Sequence, residues 1–403
     1  MEFNEYLLKD IATIIMGQSP KSEYYSDFNG TPFLQGNRTF NNLYPTIDTY
    51  TTKITKTAEK NDILFSVRAP VGEINIAPFE LCIGRGLSAI RSKNKDNKFL
   101  HYLLIYKLKD IHSKSTGTIF NSINKSTLEN LEIKIPNEKF QKFIGTLLRN
   151  IDNKVELNHK IIANLEELSQ TLFKRWFVDF EFPDENSNPY KSSGGEMINS
   201  KLGEIPSDWK VGVLSDMTEI IMGQSPKSDT YNNNKVGLPL LNGASDFKNR
   251  NIKPTKYTSD PKKIGHNLDY VFGVRATIGL VTELDGEYAI GRGAGLSKNN
   301  EENREFIYEI LNQAFTYFER IGSGSVYINI SSKDLKQYKL IIPSKQVLMK
   351  YHYQLEPIFS ELHNRKKQIT SLTNLRDTLL PKLMSGEIEL PDDIEVNTDE
   401  LSF

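Results

Sequence analysis

A single cysteine, Cys82, among 403 residues excludes an internal disulfide and fits a reducing compartment, so the chain is expected in the cytoplasm. Cys82 itself reads as a small buried apolar residue. No apolar run approaches the ~20 residues that a membrane helix needs. The first ten residues, MEFNEYLLKD, lack the basic-then-apolar order of a secretion signal. The six histidines are scattered and no Cys/His pair has metal-ligand spacing, so no metal site is expected. Excess positive charge is also missing: the net charge is −1, which at first argues against a nucleic-acid partner. The distribution of charge along the chain points the other way. After Lys382 no basic residue remains, while Glu387, Glu389, Asp392, Asp393, Glu395, Asp399 and Glu400 are all acidic. Setting these seven aside leaves 50 basic against 44 acidic residues, a body of +6. A mildly basic body with a solvated acidic tail permits DNA binding without proving it.

The sequence does contain a repeat. IIMGQSPKS stands at Ile14–Ser22 and again at Ile220–Ser228, 206 positions on. FSVRAPVG from Phe65 aligns with FGVRATIG from Phe272, and IGRG at Ile83 with IGRG at Ile290, both at a shift of 207. Gly117 falls on Gly324, Leu128 on Leu335 and Ile135-Pro136 on Ile342-Pro343. A shift that drifts by one residue over such a length marks a duplicated domain.

Each copy opens with Val, Ile and Phe clusters bounded by turn residues, such as ILFSVRAPVGEINIAPF and LDYVFGVRATIGLVTEL, which read as strands. Helices are expected at Phe99–Asp110 and Phe306–Arg320, and each copy closes on a strand ending in Ile-Pro. Beyond that strand the apolar period changes. Ile144, Leu148, Ile151, Val155, Asn158, Ile162, Leu165, Ser169, Leu172 and Trp176 alternate at spacings of four and three, the signature of a coiled-coil seam. The second copy repeats it in phase with Tyr351, Leu355, Ile358, Leu362, Arg365, Ile369, Leu372, Arg376, Leu379 and Leu383. Polar residues interrupt both seams at the same two places, which costs stability but fixes register and partner. The expected fold is α+β: two mixed, mostly β domains related by pseudo-two-fold symmetry and separated by two long antiparallel coiled-coil helices. The boundaries read as a first domain at 1–136, its helix at 137–177, a linker at 178–206, a second domain at 207–343, its helix at 344–384 and an acidic tail at 385–403.

Catalytic chemistry is hard to find. IGRGAG at Ile290–Gly295 lacks the full G-x-G-x-x-G order in a βαβ unit, so it reads as a structural turn. SNPY at Ser187–Tyr190 lacks the second proline of an adenine-N6 methyltransferase loop and sits in the linker, so no catalytic residue is assigned. Recognition chemistry is better represented. GQSPKSEYY supplies Gln18, Ser19, Lys21 and Tyr24, and GQSPKSDTY supplies Gln224, Ser225, Lys227 and Tyr231, on turn-prone backbone that reads equally well as a structural turn. Amides can grip adenine edges, and hydroxyls and amines can hold phosphates. Identity between the copies argues against these residues choosing a base if the copies read different sequences. The divergent stretches are better candidates for that: Gln35, Asn37 and Arg38 in the first copy, and Asn242, Lys248, Arg250, Lys253 and Lys256 in the second. Arg68 with Arg275, and Arg85 with Arg292, occupy equivalent places and suit phosphate clamping or structural ion pairs.

Taken together, IMGQSPKSEYY, DILFSVRAPVGEI, GTIFNSINKSTLENLEIKIP, ANLEELSQTLFKRWFVDFEF, SKLGEIPSDWKVGVL and LRDTLLPKLMSGEIEL span nearly the whole chain. In that order they resemble the DNA specificity subunit of type I restriction-modification enzymes. The resemblance implies two target recognition domains, each reading half of a bipartite asymmetric site in double-stranded DNA. It implies helices that set the gap and dock two methyltransferase subunits, with restriction subunits in the full complex. It also implies no cofactor in this chain, with S-adenosylmethionine, ATP and magnesium used by the partners. The two helix ends differ, FKRWF at Phe173 against LPKLM at Leu380, so the two docks need not be equivalent. Two other classes stay open: a self-contained DNA-modification enzyme with a degenerate active site, and a coiled-coil adaptor between proteins.

Overall fold

The computed structural model describes residues 2–113, 122–275, 277–321, 330–391 and 393–394. Gly117, Gly324 and the tail residues Asp392, Glu395, Asp399 and Glu400 lie outside these. The chain divides into two compact units, Met1–Lys160 with Lys367–Phe403, and Ile161–Lys366.

The repeat holds at the level of strand order. In the first unit Phe3–Leu7 pairs with Glu132–Pro136. A four-stranded sheet runs Ala12–Met16, Leu87–Ser92, Ile63–Ser66, Ile74–Ile76, and a five-stranded one runs Tyr25–Ser26, Tyr50–Thr51, Thr31–Leu34, Leu81–Ile83, Thr57–Ala58. The second unit pairs Lys210–Val213 with Lys339–Ile342. Its four-stranded sheet runs Glu219–Met222, Ala294–Lys298, Tyr270–Arg275, Thr277–Glu283, and its five-stranded sheet Tyr231–Asn232, Lys256–Thr258, Leu238–Leu241, Tyr288–Ile290, Ile264–Gly265. Even the parallel pairing recurs, Thr31–Leu34 on Leu81–Ile83 and Leu238–Leu241 on Tyr288–Ile290.

The apolar runs in the central strands arise from burial on both faces. Along Ile63–Ser66, Ile63 and Phe65 enter one core while Leu64 enters another. Phe272 and Val271 divide in the same way between two cores of the second unit. Cys82 is buried, as its type suggested.

Four longer helices complete the units: α1 (Asn97–Ser113), α2 (Glu138–Phe173), α3 (Arg304–Ile321) and α4 (Lys345–Ser385). Helix α2 gives its residues up to Lys160 to the first unit and the rest to the second, and α4 does the reverse. Within the first unit the two helices are antiparallel. Arg376 Nη1 lies 2.8 Å from Asp152 Oδ1, and Asn158 Nδ2 donates to Gln368 Oε1 at 2.8 Å, so one numbering rises as the other falls. Asn158 is fully buried, so its amide bond to Gln368 fixes the register at that level.

The seam is buried unevenly along its length. Ile144, Leu148, Ile151, Val155, Leu355 and Leu362 are buried, whereas Ile162, Leu165, Leu172, Ile358, Ile369, Leu372 and Leu379 are half-buried. Arg365 is held by Glu361 one turn back on its own helix, 2.6 Å away. Buried residues beside the heptad stripe, Phe173, Phe177, Phe359, Leu380 and Met384, join the cores of the units instead. A helix end flanked by a second helix and by a globular core buries a wider face than a two-helix seam does.

The stretch 178–206, read as a linker, is folded rather than a bare tether. Phe182 stacks between Tyr190 (4.6 Å) and Trp209 (5.0 Å), and Met197–Ser200 pairs with Gly203–Pro206.

Polar groups are buried where the long helices α2 and α4 meet the shorter helix of each unit, and the two units solve this differently. In the first, Tyr102 donates to Asp152 at 2.5 Å, and Asp152 also holds Arg376. In the second, Ser169 donates to Glu309 at 2.9 Å, beside Arg250, Glu166 and Tyr351. Burial pushes the Glu309 carboxyl up to about 7, against the opposing pull of the Ser169 hydroxyl and of Arg250.

These packing differences set two expectations for stability. Leu148→Ala should cost about 2–5 kcal/mol by cavity formation, and Leu165→Ala, half-exposed, clearly less, as urea denaturation of the two variants will show. Glu309 is protonated in the folded chain at pH values where the unfolded chain has already lost that proton. Its contribution is therefore full below the ordinary carboxylate value of 4.5 and is lost as pH rises through about 7. Glu309→Gln should remove that loss, on the order of a few kcal/mol, which denaturation midpoints at pH 5 and pH 8 will register.

Candidate nucleic-acid interface

The repeated Gly-Gln-Ser segment begins where an edge strand ends, and its conformation is set by the Gly-Arg-Gly turn beside it. Gly17 N–H donates to Leu87 O and Gln18 N–H to Ile83 O, both at 2.9 Å. Gly223 and Gln224 make the same bonds to Ala294 and Ile290, again at 2.9 Å. The backbones approach so closely that a Cβ on Gly17 would sit 2.2 Å from Gly84 O, and one on Gly223 2.1 Å from Gly291 O. No side chain fits there, so glycine is required in each copy. The Ser19 hydroxyl then accepts from Arg85 N–H at 3.1 Å, and Ser225 from Arg292 N–H at 3.4 Å. The two motifs are halves of one frame, which the glycines and the serine hydroxyls hold in shape.

That frame presents exposed polar groups. Gln18, Ser19, Gln35 and Arg85 come together with Pro20, Ser22 and Tyr25 around an open pocket of about 550 Å³ in the first unit. The Tyr25 hydroxyl, at the position that aligns with Tyr231, donates to Pro20 O at 3.2 Å and so shapes the turn. Arg68, Arg85, Arg275 and Arg292 are all exposed, and none forms an ion pair with a described residue. Lys21 is exposed and 3.9 Å from Glu23. Lys227, Gln224, Lys248 and Lys253 are exposed, whereas Tyr24 and Tyr231 are half-buried beneath the ammonium groups of Lys53 (5.1 Å) and Lys256 (5.8 Å).

The divergent loops are braced by different means. In the first unit Asn37 donates to Pro70 O (3.3 Å) and to Glu73 (2.8 Å), which ties the loop to the turn carrying Arg68. Arg38 pairs with Asp48 at 2.6 Å in an exposed position, and its guanidinium holds the Asp48 carboxyl below the usual range. Asn42 reaches His159 on α2 at 3.1 Å. In the second unit the loop winds into a 3₁₀ helix, Ala244–Arg250, anchored by fully buried Phe247. Asp246 accepts from Asn242 N–H at 2.8 Å, and burial raises its carboxyl pKa.

Arg250 departs from its expected role. Its Nη1 lies 2.7 Å from Glu166 of α2 and its guanidinium sits over the Tyr308 ring at 5.6 Å, so this cation is spent on the protein. The sequence alone groups it with its basic neighbours because helix α2 is far away in the chain. Arg250→Ala should destabilise the second unit by about 1–3 kcal/mol, since it removes the ion pair to Glu166 and the packing over Tyr308. Lys248→Ala should leave thermal unfolding unchanged.

Comparisons with known proteins agree with this architecture. The profile of the type I restriction modification DNA specificity domain matches residues 1–167 and again 206–371. A protein of Methanocaldococcus jannaschii described as the putative type I restriction enzyme MjaX specificity subunit is 44% identical over 346 residues, covering 82% of this chain and 79% of that one. The MjaIX specificity subunit of the same organism is 27% identical, covering 95% and 93%. The crystal structure of a type I restriction-modification S subunit from M. genitalium shares the fold, with a TM-score of 0.64 at 18% identity over 95% of this chain and 96% of that one. With two copies of the domain covering most of its length, the chain belongs to the type I restriction-modification DNA specificity family.

Proposed function

We propose that this chain is the sequence-reading subunit of a type I restriction-modification enzyme, each unit reading one half of a bipartite site in double-stranded DNA. The observation that carries this reading is the recurrence of one backbone frame whose arginines form no ion pair with a described residue, next to loops that differ in sequence and in bracing. A shared frame suits contacts to phosphates, which are the same in every sequence, and the variable loops suit base edges. Both loops are tied to helix α2, through His159 in one unit and Glu166 in the other. Such ties would brace each reading loop within its own unit.

In this reading α2 and α4 set the gap between half-sites and offer docks to two methyltransferase subunits, with restriction subunits joining the full complex. At 1.5 Å per residue the 36 residues of α2 extend about 54 Å, ample for half-sites roughly 34 Å apart. Adenine methylation and ATP-dependent cleavage, with S-adenosylmethionine, ATP and magnesium, would belong to those partners. The chain's own residues would bind and orient DNA. No described helix is long and apolar enough to cross a membrane.

Insertion of one seven-residue block into each long helix should lengthen the preferred gap and leave both half-site sequences unchanged. Selection of bound duplexes from a pool with variable spacing measures this; altered half-sites with an unaltered gap would contradict it.

A further inference from the structure

Eight residues line the pocket of the first unit. Seven have the same residue type at the aligned position of the second unit, from Gly17 on Gly223 to Arg85 on Arg292. The exception is Gln35, which aligns with Asn242. The structure makes that equivalence strict: Gln35 O accepts from Gly86 N–H and Asn242 O from Gly293 N–H, both at 3.0 Å. Their preceding residues also match, since Leu34 O accepts from Gly84 N–H at 2.7 Å and Leu241 O from Gly291 N–H at 2.9 Å.

Both side chains are exposed, and neither terminal amide has a hydrogen-bond partner among the described residues. Among the other candidates in the divergent loops, Asn37 is committed to Pro70 and Glu73, Arg38 to Asp48 and Arg250 to Glu166, while Lys248 and Lys253 are exposed. Each loop thus carries a carboxamide on a backbone pinned at the frame, with its donor and acceptor unspent.

We infer that Gln35 and Asn242 are corresponding base-reading residues, each taking the edge of an adenine in its own half-site, while Arg85 and Arg292 hold backbone phosphate beside them. This rests on the proposed DNA-reading role and deepens it. A carboxamide matches adenine, whose major-groove edge offers one donor and one acceptor to a bidentate partner. The terminal groups are the same in the two units and the reach differs by one methylene. The two positions therefore read the same base type at different depths, and exchanging the residues alters fit rather than base identity. The identical frame contributes affinity without choosing sequence.

The test uses the full chain assembled with its methyltransferase subunits, and duplexes selected from a randomised pool. The unaltered complex should enrich a two-part motif with an adenine in each part; a pool without any enriched motif would overturn the DNA-reading role itself. Gln35→Ala should relax preference at one adenine position of one half-site by roughly tenfold to a hundredfold, leaving the other half-site intact, and Asn242→Ala should do so in the other. Gln35→Asn should retain adenine there with weakened discrimination. Arg85→Ala should weaken binding on all duplexes and reduce the salt dependence by about one phosphate contact. The inference is overturned if Gln35→Ala weakens every duplex equally, if it leaves the enriched motif unchanged, or if the relaxed position is not an adenine.

Discussion

The contact on which the rest of each unit depends is backbone against backbone, where the Gly-Gln-Ser segment crosses the Gly-Arg-Gly turn. At a Cβ clearance of 2.2 Å in one copy and 2.1 Å in the other, this crossing tolerates only glycine. It joins the edge of the four-stranded sheet to the end of the five-stranded sheet, and so sets the angle at which the divergent loop leaves Leu34 or Leu241. The preserved nine residues are the trace of that constraint. They are kept because the scaffold around a reading site cannot vary, while the residue resting on it can.

Away from this crossing the copies diverge in chemistry while keeping geometry. Tyr102 aligns with Glu309 and Ser169 with Arg376, each at a shift of 207. One unit buries a Tyr–Asp–Arg set at the helix junction, and the other a Ser–Glu pair beside Arg250. Each is internally satisfied, and mixing members of the two sets would leave a buried charge without its partner. The junctions thereby specify which end of a long helix belongs with which shorter helix. The loop bracing diverges likewise, through an amide–imidazole contact in one unit and an arginine–carboxylate pair in the other.

Much of this is legible in the chain. The duplication, the strand clusters and the helices α1 and α3 arise from local periodicity and turn residues, which are properties of neighbours in sequence. The pairing of Asn158 is also visible, because a polar residue in an apolar stripe demands a partner. The hidden part depends on contacts distant in the chain. Arg250 looks like one more basic loop residue until Glu166 and Tyr308 are placed around it. Phe180, Phe182 and Tyr190 sit in a stretch rich in Asn, Ser and Gly, whose composition outweighs its aromatics. The heptad pattern overstates the seam at Ile162 and Leu165 and misses Phe173 and Met384, because it assumes that one helix is the only neighbour. Gln35 and Asn242 can be matched by alignment, but that their amides are unspent is a fact of three dimensions.

Two copies of one reading frame, each carrying its own base-reading loop, require a DNA site with two separately specified parts. Mapping methylated adenines across the DNA of the host that carries this chain tests that requirement most directly. One recurrent motif is expected, made of two defined blocks of different sequence separated by a fixed number of unread base pairs. A single contiguous motif, or two blocks with a freely varying separation, would contradict it.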